Sequence, residues 1–177
     1  VEYAIENSHE AYINGAWANK TINEKIQIIS SSIIELEKNI SLVAAFDALE
    51  TGRSFESLVE DSLPKAIATM KWFCSAFKQL TGKVYFSSES NDYSYTKIVP
   101  YGLVCCLLPW NDPMVLFSWK VIPALLLGNS VLLKPSESSS GSALYFTELL
   151  HVCGLPKGVL NVVTGRDSSA LEYICKS

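Results

Sequence analysis

The sequence predicts an α/β fold in which a helical leading region and a two-stranded hairpin precede a parallel sheet with helical crossovers. Three observations carry this. Apolar residues recur at helical steps through the first 82 residues. Between Lys83 and Val99 the period shifts to that of strands. After Pro100, continuous apolar runs alternate with helical stretches over short links, the pattern of a parallel sheet covered on both faces.

The helical stripes are explicit. Ile26, Ile29, Ile33, Leu36 and Ile40 share one face, Val43, Phe46 and Leu49 continue on a second helix, and Gly52 sits where a left-handed C-cap is needed. Leu63, Ile67, Met70, Phe73, Phe77 and Leu80 make a third stripe that stops at Gly82. "KVYF" and "YSYTKIV" are rich in aromatic and β-branched residues and flank the turn-forming "SSESND", so they pair as antiparallel strands. Next come the strand "GLVCCLL", a helix from about Met114 to Leu127, the strand "NSVLLK", a helix from about Ser140 to Cys153, and the strand "GVLNVVTG".

Bulk properties narrow the function. A chain of 177 residues that is 49% hydrophobic and 18% charged can bury a sizeable core and is too apolar for disorder. A net charge of −4 without a block of like charges excludes nucleic acid and anionic membrane as partners. The most apolar window, Met114 to Leu127, contains Lys120 and Pro123 and falls short of the roughly 20 residues that span a bilayer. The start, "VEYAIENSHEAY", lacks the regions of a secretory signal and has no Met, so the chain is expected to be processed, trimmed or a piece of a longer protein. Cys74, Cys105, Cys106, Cys153 and Cys175 have no metal-binding spacing and read as small hydrophobes of a reducing, cytoplasmic compartment; no metal site is expected. Strand alternation puts the adjacent Cys105 and Cys106 on opposite faces.

In parallel sheets of this kind ligands bind beyond the carboxyl ends of the strands. The loops leaving those ends are "PWND", "KPSE" and "TGRD". Taken alone, Asn111 and Asp112 between two prolines fit an ordinary turn as well as the mouth of a site.

The stretch "PWNDPMVLFSWKVIPALLLGNSVLLKPSE", followed by "GLPKGVLNVVTG", resembles the aldehyde dehydrogenase superfamily, in the amino-terminal part of its cofactor domain. The resemblance covers nearly the whole chain. It implies an incomplete aldehyde dehydrogenase fold: residues 1–82 as the helical part of the cofactor-binding domain, 83–99 as a hairpin of the bridging, oligomerisation domain, and 100–177 as a Rossmann-like βαβαβ half. It further implies oxidation of an aldehyde to an acid with NAD(P), through a cysteine nucleophile. The complete protein would be a homodimer or homotetramer. That cysteine, its general-base glutamate and the catalytic domain are expected downstream of Ser177, so the chain alone is expected to be inactive. The rival reading is a truncated or degenerate relative serving as a non-catalytic binding or scaffold module.

On this resemblance Asn111 contributes its amide to the oxyanion, and Lys120 stands behind the site. Leu108, Trp110, Lys134, Ser136, Glu137 and Gly165 bind the cofactor, while Asp112, Val115, Leu116 and Trp119 line the substrate tunnel. A lysine and a carboxylate together grip a ribose diol, and the carboxylate repels a 2′-phosphate, which favours NAD over NADP. The residues also admit structural readings: Ser136 or Ser138 as a cap for the next helix, Trp110 as a core aromatic, and Lys120 as a snorkelling lysine. Two departures stand out. "RDSSALEY" lacks the glycines usual after Gly165, with Asp167 and Leu171 at the matching places, which puts tight cofactor placement in question. Asp112 replaces an aromatic residue, so it would either favour a cationic or polar aldehyde or bond within its own turn. His9 and His151 read as surface helix residues.

Overall fold

Thr21 and Glu24 start the first of the predicted stripes. In the computed structural model, which describes residues 1–89, 92–166 and 169–176, the Thr21 hydroxyl accepts from the Glu24 N–H at 3.3 Å and the Glu24 carboxylate accepts from the Thr21 N–H at 2.7 Å. This box opens α2 (Ile22–Lys38), which follows α1 (Glu2–Ile13). Then come α3 (Ile40–Thr51), ended by Gly52 at φ 74°, and a short α4 (Phe55–Ser57) that passes through the π-helical Leu58–Ser62 into α5 (Leu63–Ala76). The third stripe is shorter than its periodicity suggests. After Ala76 the chain tightens into a 3-10 turn, Phe77–Gln79, and Leu80 beyond it is exposed.

The hairpin is β1 (Val84–Ser87) and β2 (Asp92–Tyr95), antiparallel, with Val84 opposite Tyr95 and Ser87 opposite Asp92. β2 stops before Ile98 and Val99, which the composition had placed in the strand. Phe86 and Tyr93 pack ring on ring across the ladder at 5.0 Å. Both faces of this ribbon are exposed, Tyr85, Phe86, Tyr93 and Tyr95 among them.

The parallel sheet has the order β3 (Leu103–Leu107), β4 (Ser130–Lys134), β5 (Leu160–Val162). Its crossovers are α6 (Pro113–Leu126) and α7 (Gly141–Val152), and α8 (Ser169–Lys176) follows β5. Continuous apolar strands imply cover on both sides, and that is the arrangement. α6 and α7 lie on one face with α2, α3 and α5 behind them, joined through Phe117 against Phe146 at 5.3 Å, while α1 crosses the other face. Cys106 is buried and Cys105 exposed, on opposite faces. α1 carries no strong apolar stripe because its contacts are largely polar: Asn161 Nδ2 donates to Ser8 Oγ at 2.7 Å and to Asn7 Oδ1 at 3.2 Å. Gly158, at φ 82°, makes the approach feasible, since a Cβ there would stand 2.9 Å from the Ala11 methyl.

Two buried side chains tie the helices to the sheet. Trp17 Nε1 donates to the Leu125 carbonyl at 2.8 Å, fixing the α1–α2 link against the end of α6. Asn129, 2% exposed, accepts the N–H groups of Tyr101 and Gly102 on Oδ1 at 2.7 and 3.1 Å and donates Nδ2 to the Ala124 carbonyl at 2.9 Å. One amide thus joins the entry to β3, the end of α6 and the start of β4. Asn129→Ala orphans buried backbone groups and is expected to cost about 2–3 kcal/mol. Thermal unfolding of the complete protein checks this, and a midpoint equal to wild type would contradict it.

Candidate functional site

The ends of β3 and β4 meet as the sheet order requires. The Leu108 N–H continues the ladder by donating to the Lys134 carbonyl at 3.0 Å. Beyond that bond lies a cavity of about 180 Å³ lined by Leu107, Leu108, Pro109, Lys134, Pro135, Ser136 and Glu137. The side chain of Lys134 crosses toward the third loop, with Nζ donating to the Gly165 carbonyl at 3.4 Å. The structure therefore brings together Leu108, Lys134, Ser136, Glu137 and Gly165, drawn from three separate loops.

The serines do not cap α7. Ser136 Oγ instead accepts the Ser138 N–H at 3.2 Å, within its own turn. The N-terminus of α7 is capped from a distance, by the Glu50 carboxylate of α3, whose oxygens accept the Gly141 N–H at 2.9 and 3.1 Å. Glu137 is exposed at the cavity rim.

Trp110 is 57% exposed and is no core aromatic; Asn111 beside it is also exposed. α6 begins at Pro113, whose missing N–H suits the first turn, so residues 110–112 stand at the junction of strand and helix. Asp112, Val115, Leu116 and Trp119 then fall on one helical face at steps of three, one and three. Val115 and Leu116 are half-buried and Trp119 is 55% exposed, whereas Met114, Phe117, Val121 and Leu125 on the opposite side are buried. Lys120 is exposed, and its Nζ donates to the Leu107 carbonyl at 2.6 Å. It thus ties α6 back onto the last residue of β3.

Asp112 neither bonds within its own turn nor stands free. Its Oδ1 pairs with the Arg53 guanidinium and accepts the Ser62 hydroxyl. Arg53 Nη1 also reaches Ser62 Oγ at 3.1 Å and the Asn111 carbonyl at 3.5 Å. Sequence reasoning missed Arg53 and Ser62 because they lie some fifty positions or more upstream. The only local signal is that Arg53 follows the C-cap Gly52 and leads the chain out of α3. His151, expected at the surface, is half-buried and stands between two carbonyls, with Nδ1 3.1 Å from that of Leu155 and Nε2 3.3 Å from that of Leu160 at the start of β5. Asp167 lies outside the described residues, as does the side chain of Leu171.

The sequence pattern of the aldehyde dehydrogenase family matches residues 1–177. The chain belongs to the aldehyde dehydrogenase family. Among curated members of that family, the NADP/NAD-dependent aldehyde dehydrogenase PuuC of Escherichia coli strain K12 is 32% identical over 165 residues, covering 93% of this chain and 33% of PuuC. The mitochondrial benzaldehyde dehydrogenase of Antirrhinum majus is 31% identical over 176 residues, covering 99% of this chain and 33% of its own. Among solved structures, the indole-3-acetaldehyde dehydrogenase of P. syringae in complex with NAD+ and IAA superposes with a TM-score of 0.87 at 30% identity, covering 92% of this chain and 32% of that one. The betaine aldehyde dehydrogenase of Staphylococcus aureus in complex with NAD+ gives 0.88 at 26% identity, covering 95% and 33%. The chain spans about a third of the length of the curated relatives it matches.

In this aldehyde dehydrogenase segment burial pushes the Cys106 thiol up to about 11 and also raises Cys74, so neither is a thiolate at neutral pH. Beside Glu50, Asp47 is 1% exposed, and its Oδ1 has no hydrogen-bond partner among the described residues. Burial first, opposed by the nearby Ser142 hydroxyl, which is too poorly aligned to form a hydrogen bond, and aided by the Glu50 charge, raises its carboxyl from 3.8 to about 6. A carboxyl raised on folding stabilises the fold while both states hold the proton. That contribution is lost as the pH climbs from the unfolded value through about 6. Asp47→Asn is therefore expected to flatten the stability profile over about pH 4–6 and to exceed wild type above it by about 1–3 kcal/mol. Parallel unfolding curves for the two proteins across that range would contradict this.

Proposed function

We propose that this chain is the cofactor-binding and oxyanion-positioning part of an enzyme that oxidises an aldehyde to a carboxylic acid with NAD(P). The observation that supports it best is the convergence of Leu108, Lys134, Ser136 and Glu137 on one cavity at the strand ends, beside the exposed Asn111. On this reading residues 1–82 and 100–177 build the cofactor-binding domain, and 83–99 belong to a bridging domain whose exposed aromatic ribbon joins subunits into a dimer or tetramer. The five cysteines, read as small hydrophobes without a disulfide or metal spacing, place the complete protein in the cytoplasm on this reading.

The donor set suits a dinucleotide. Lys134 supplies N–H donors and Glu137 carboxylate acceptors for the two hydroxyls of a ribose, and the Glu137 charge disfavours a 2′-phosphate, so NAD is the better fit. Leu108 and Trp110 flank the cofactor, Ser136 adds a hydroxyl, and Gly165 offers backbone without a side chain. When bound, NAD accepts the hydride that leaves the aldehyde carbon.

Asn111 lies one residue beyond Trp110, where its amide N–H donates to the substrate oxygen as negative charge builds there. A neutral, directional donor fixed beforehand is suited to that task. Lys120 holds the end of β3, and with it the backbone leading to Asn111. Val115, Leu116 and Trp119 form an apolar wall along which the aldehyde enters, with Asp112 at its start. The attacking cysteine and the general base belong to residues outside this chain.

In the complete protein Asn111→Ala is expected to lower kcat for aldehyde oxidation by about 10²–10³ with the NAD affinity retained. Steady-state NADH formation over an aldehyde panel checks this. A wild-type protein that reduces no NAD with any aldehyde would leave the binding-module reading instead. Glu137→Gln is expected to narrow the preference for NAD over NADP about tenfold through the loss of one charge repulsion. An unchanged ratio of kcat/KM for the two cofactors would remove Glu137 from that role.

A further inference from the structure

The Arg53–Asp112 pair has no part in the functions assigned so far, and its position gives it one. Asp112 heads the face that continues through Val115, Leu116 and Trp119, and it is partly exposed there. A bare carboxylate at that place would attract cationic groups. It is not bare: the Arg53 guanidinium pairs with Oδ1, the Ser62 hydroxyl donates to the same oxygen, and the same guanidinium nitrogen lies 3.5 Å from the Asn111 carbonyl. Ser62 stands at the junction of the π-helical turn and α5, and Arg53 just past the C-cap of α3, so neither depends on the strand-end loops for its placement.

We propose that Arg53 is a positioning residue that turns the Asp112 carboxylate away from the mouth and neutralises it, so that the site selects uncharged aldehydes over cationic ones. The proposal rests on the reading of Asp112, Val115, Leu116 and Trp119 as the substrate entrance. Arg53 touches neither substrate nor cofactor; it acts through the side chain of Asp112 and the backbone of Asn111. Freeing one carboxylate within several ångströms of a bound cation, at the effective dielectric of a protein surface, changes cation preference by about tenfold.

The test uses the complete protein and two aldehydes of one shape: trimethylammonioacetaldehyde, which carries a charge, and tert-butylacetaldehyde, which does not. The readout is the ratio of kcat/KM for the cationic aldehyde to that for the neutral one. Arg53→Met is expected to raise this ratio about tenfold, Arg53→Lys to leave it near wild type, and Arg53→Met combined with Asp112→Asn to restore it. Asp112→Asn alone leaves the guanidinium without its paired carboxylate and is expected to lower the ratio by a similar factor, so it decides the matter if Arg53→Met does not fold. An unchanged ratio in Arg53→Met, or in Asp112→Asn should the former not fold, overturns the proposal. A wild-type protein inactive on both aldehydes and on every other aldehyde of the panel overturns the underlying enzymatic reading instead, which keeps the two failures apart.

Discussion

The amide of Asn129 is the constraint on which the strand ends depend. A parallel pair needs its two strands in register, and the residues that set this register here are the first of β3 and the first of β4. By receiving two N–H groups from the approach to β3 and returning one to the last turn of α6, Asn129 settles where both strands begin. Strands of five residues then deliver Leu107 and Lys134 opposite each other. The cavity at the far end of the sheet is thus positioned from its near end, by a buried group that does not line it.

A second layer of control comes from the leading helices. They supply the hydrophobic support expected of them, with Ile29, Ile33, Leu36 and Met70 fully buried. They also send polar groups into the α/β half: Glu50 to the start of α7, Arg53 and Ser62 to the start of α6. The two crossover helices, α6 and α7, therefore begin under the influence of side chains from the chain's first 62 residues. Residues 1–82 shape the chemistry of the loops as well as supporting their scaffold.

Most of the fold was legible in the sequence because periodicity and burial coincide in it. The stripes of α2 and α5, the αL Gly52 and the uninterrupted β4 each follow from a local rule. α1 was poorly marked because it meets the sheet through Asn7, Ser8 and Asn161, not through apolar side chains. The strand-end cavity was legible for the same topological reason as the strands. The pairing of Asp112 was not, since the choice between a local turn bond and a distant guanidinium depends on a separation of 59 positions that no spacing rule spans. The capping of α7 failed on similar grounds: serines at its entrance promise a local cap, and a carboxylate 91 positions away supplies it.

That distant cap changes what α7 can offer a nucleotide. A helix following a parallel strand ordinarily presents a positive end, and phosphate groups settle on its free N–H groups. Here the first such N–H already faces both oxygens of Glu50, with the carboxyl of Asp47 one helical turn behind. A phosphate approaching that end meets negative charge. The start of α7 is thereby turned from an anion trap into a barrier to anions.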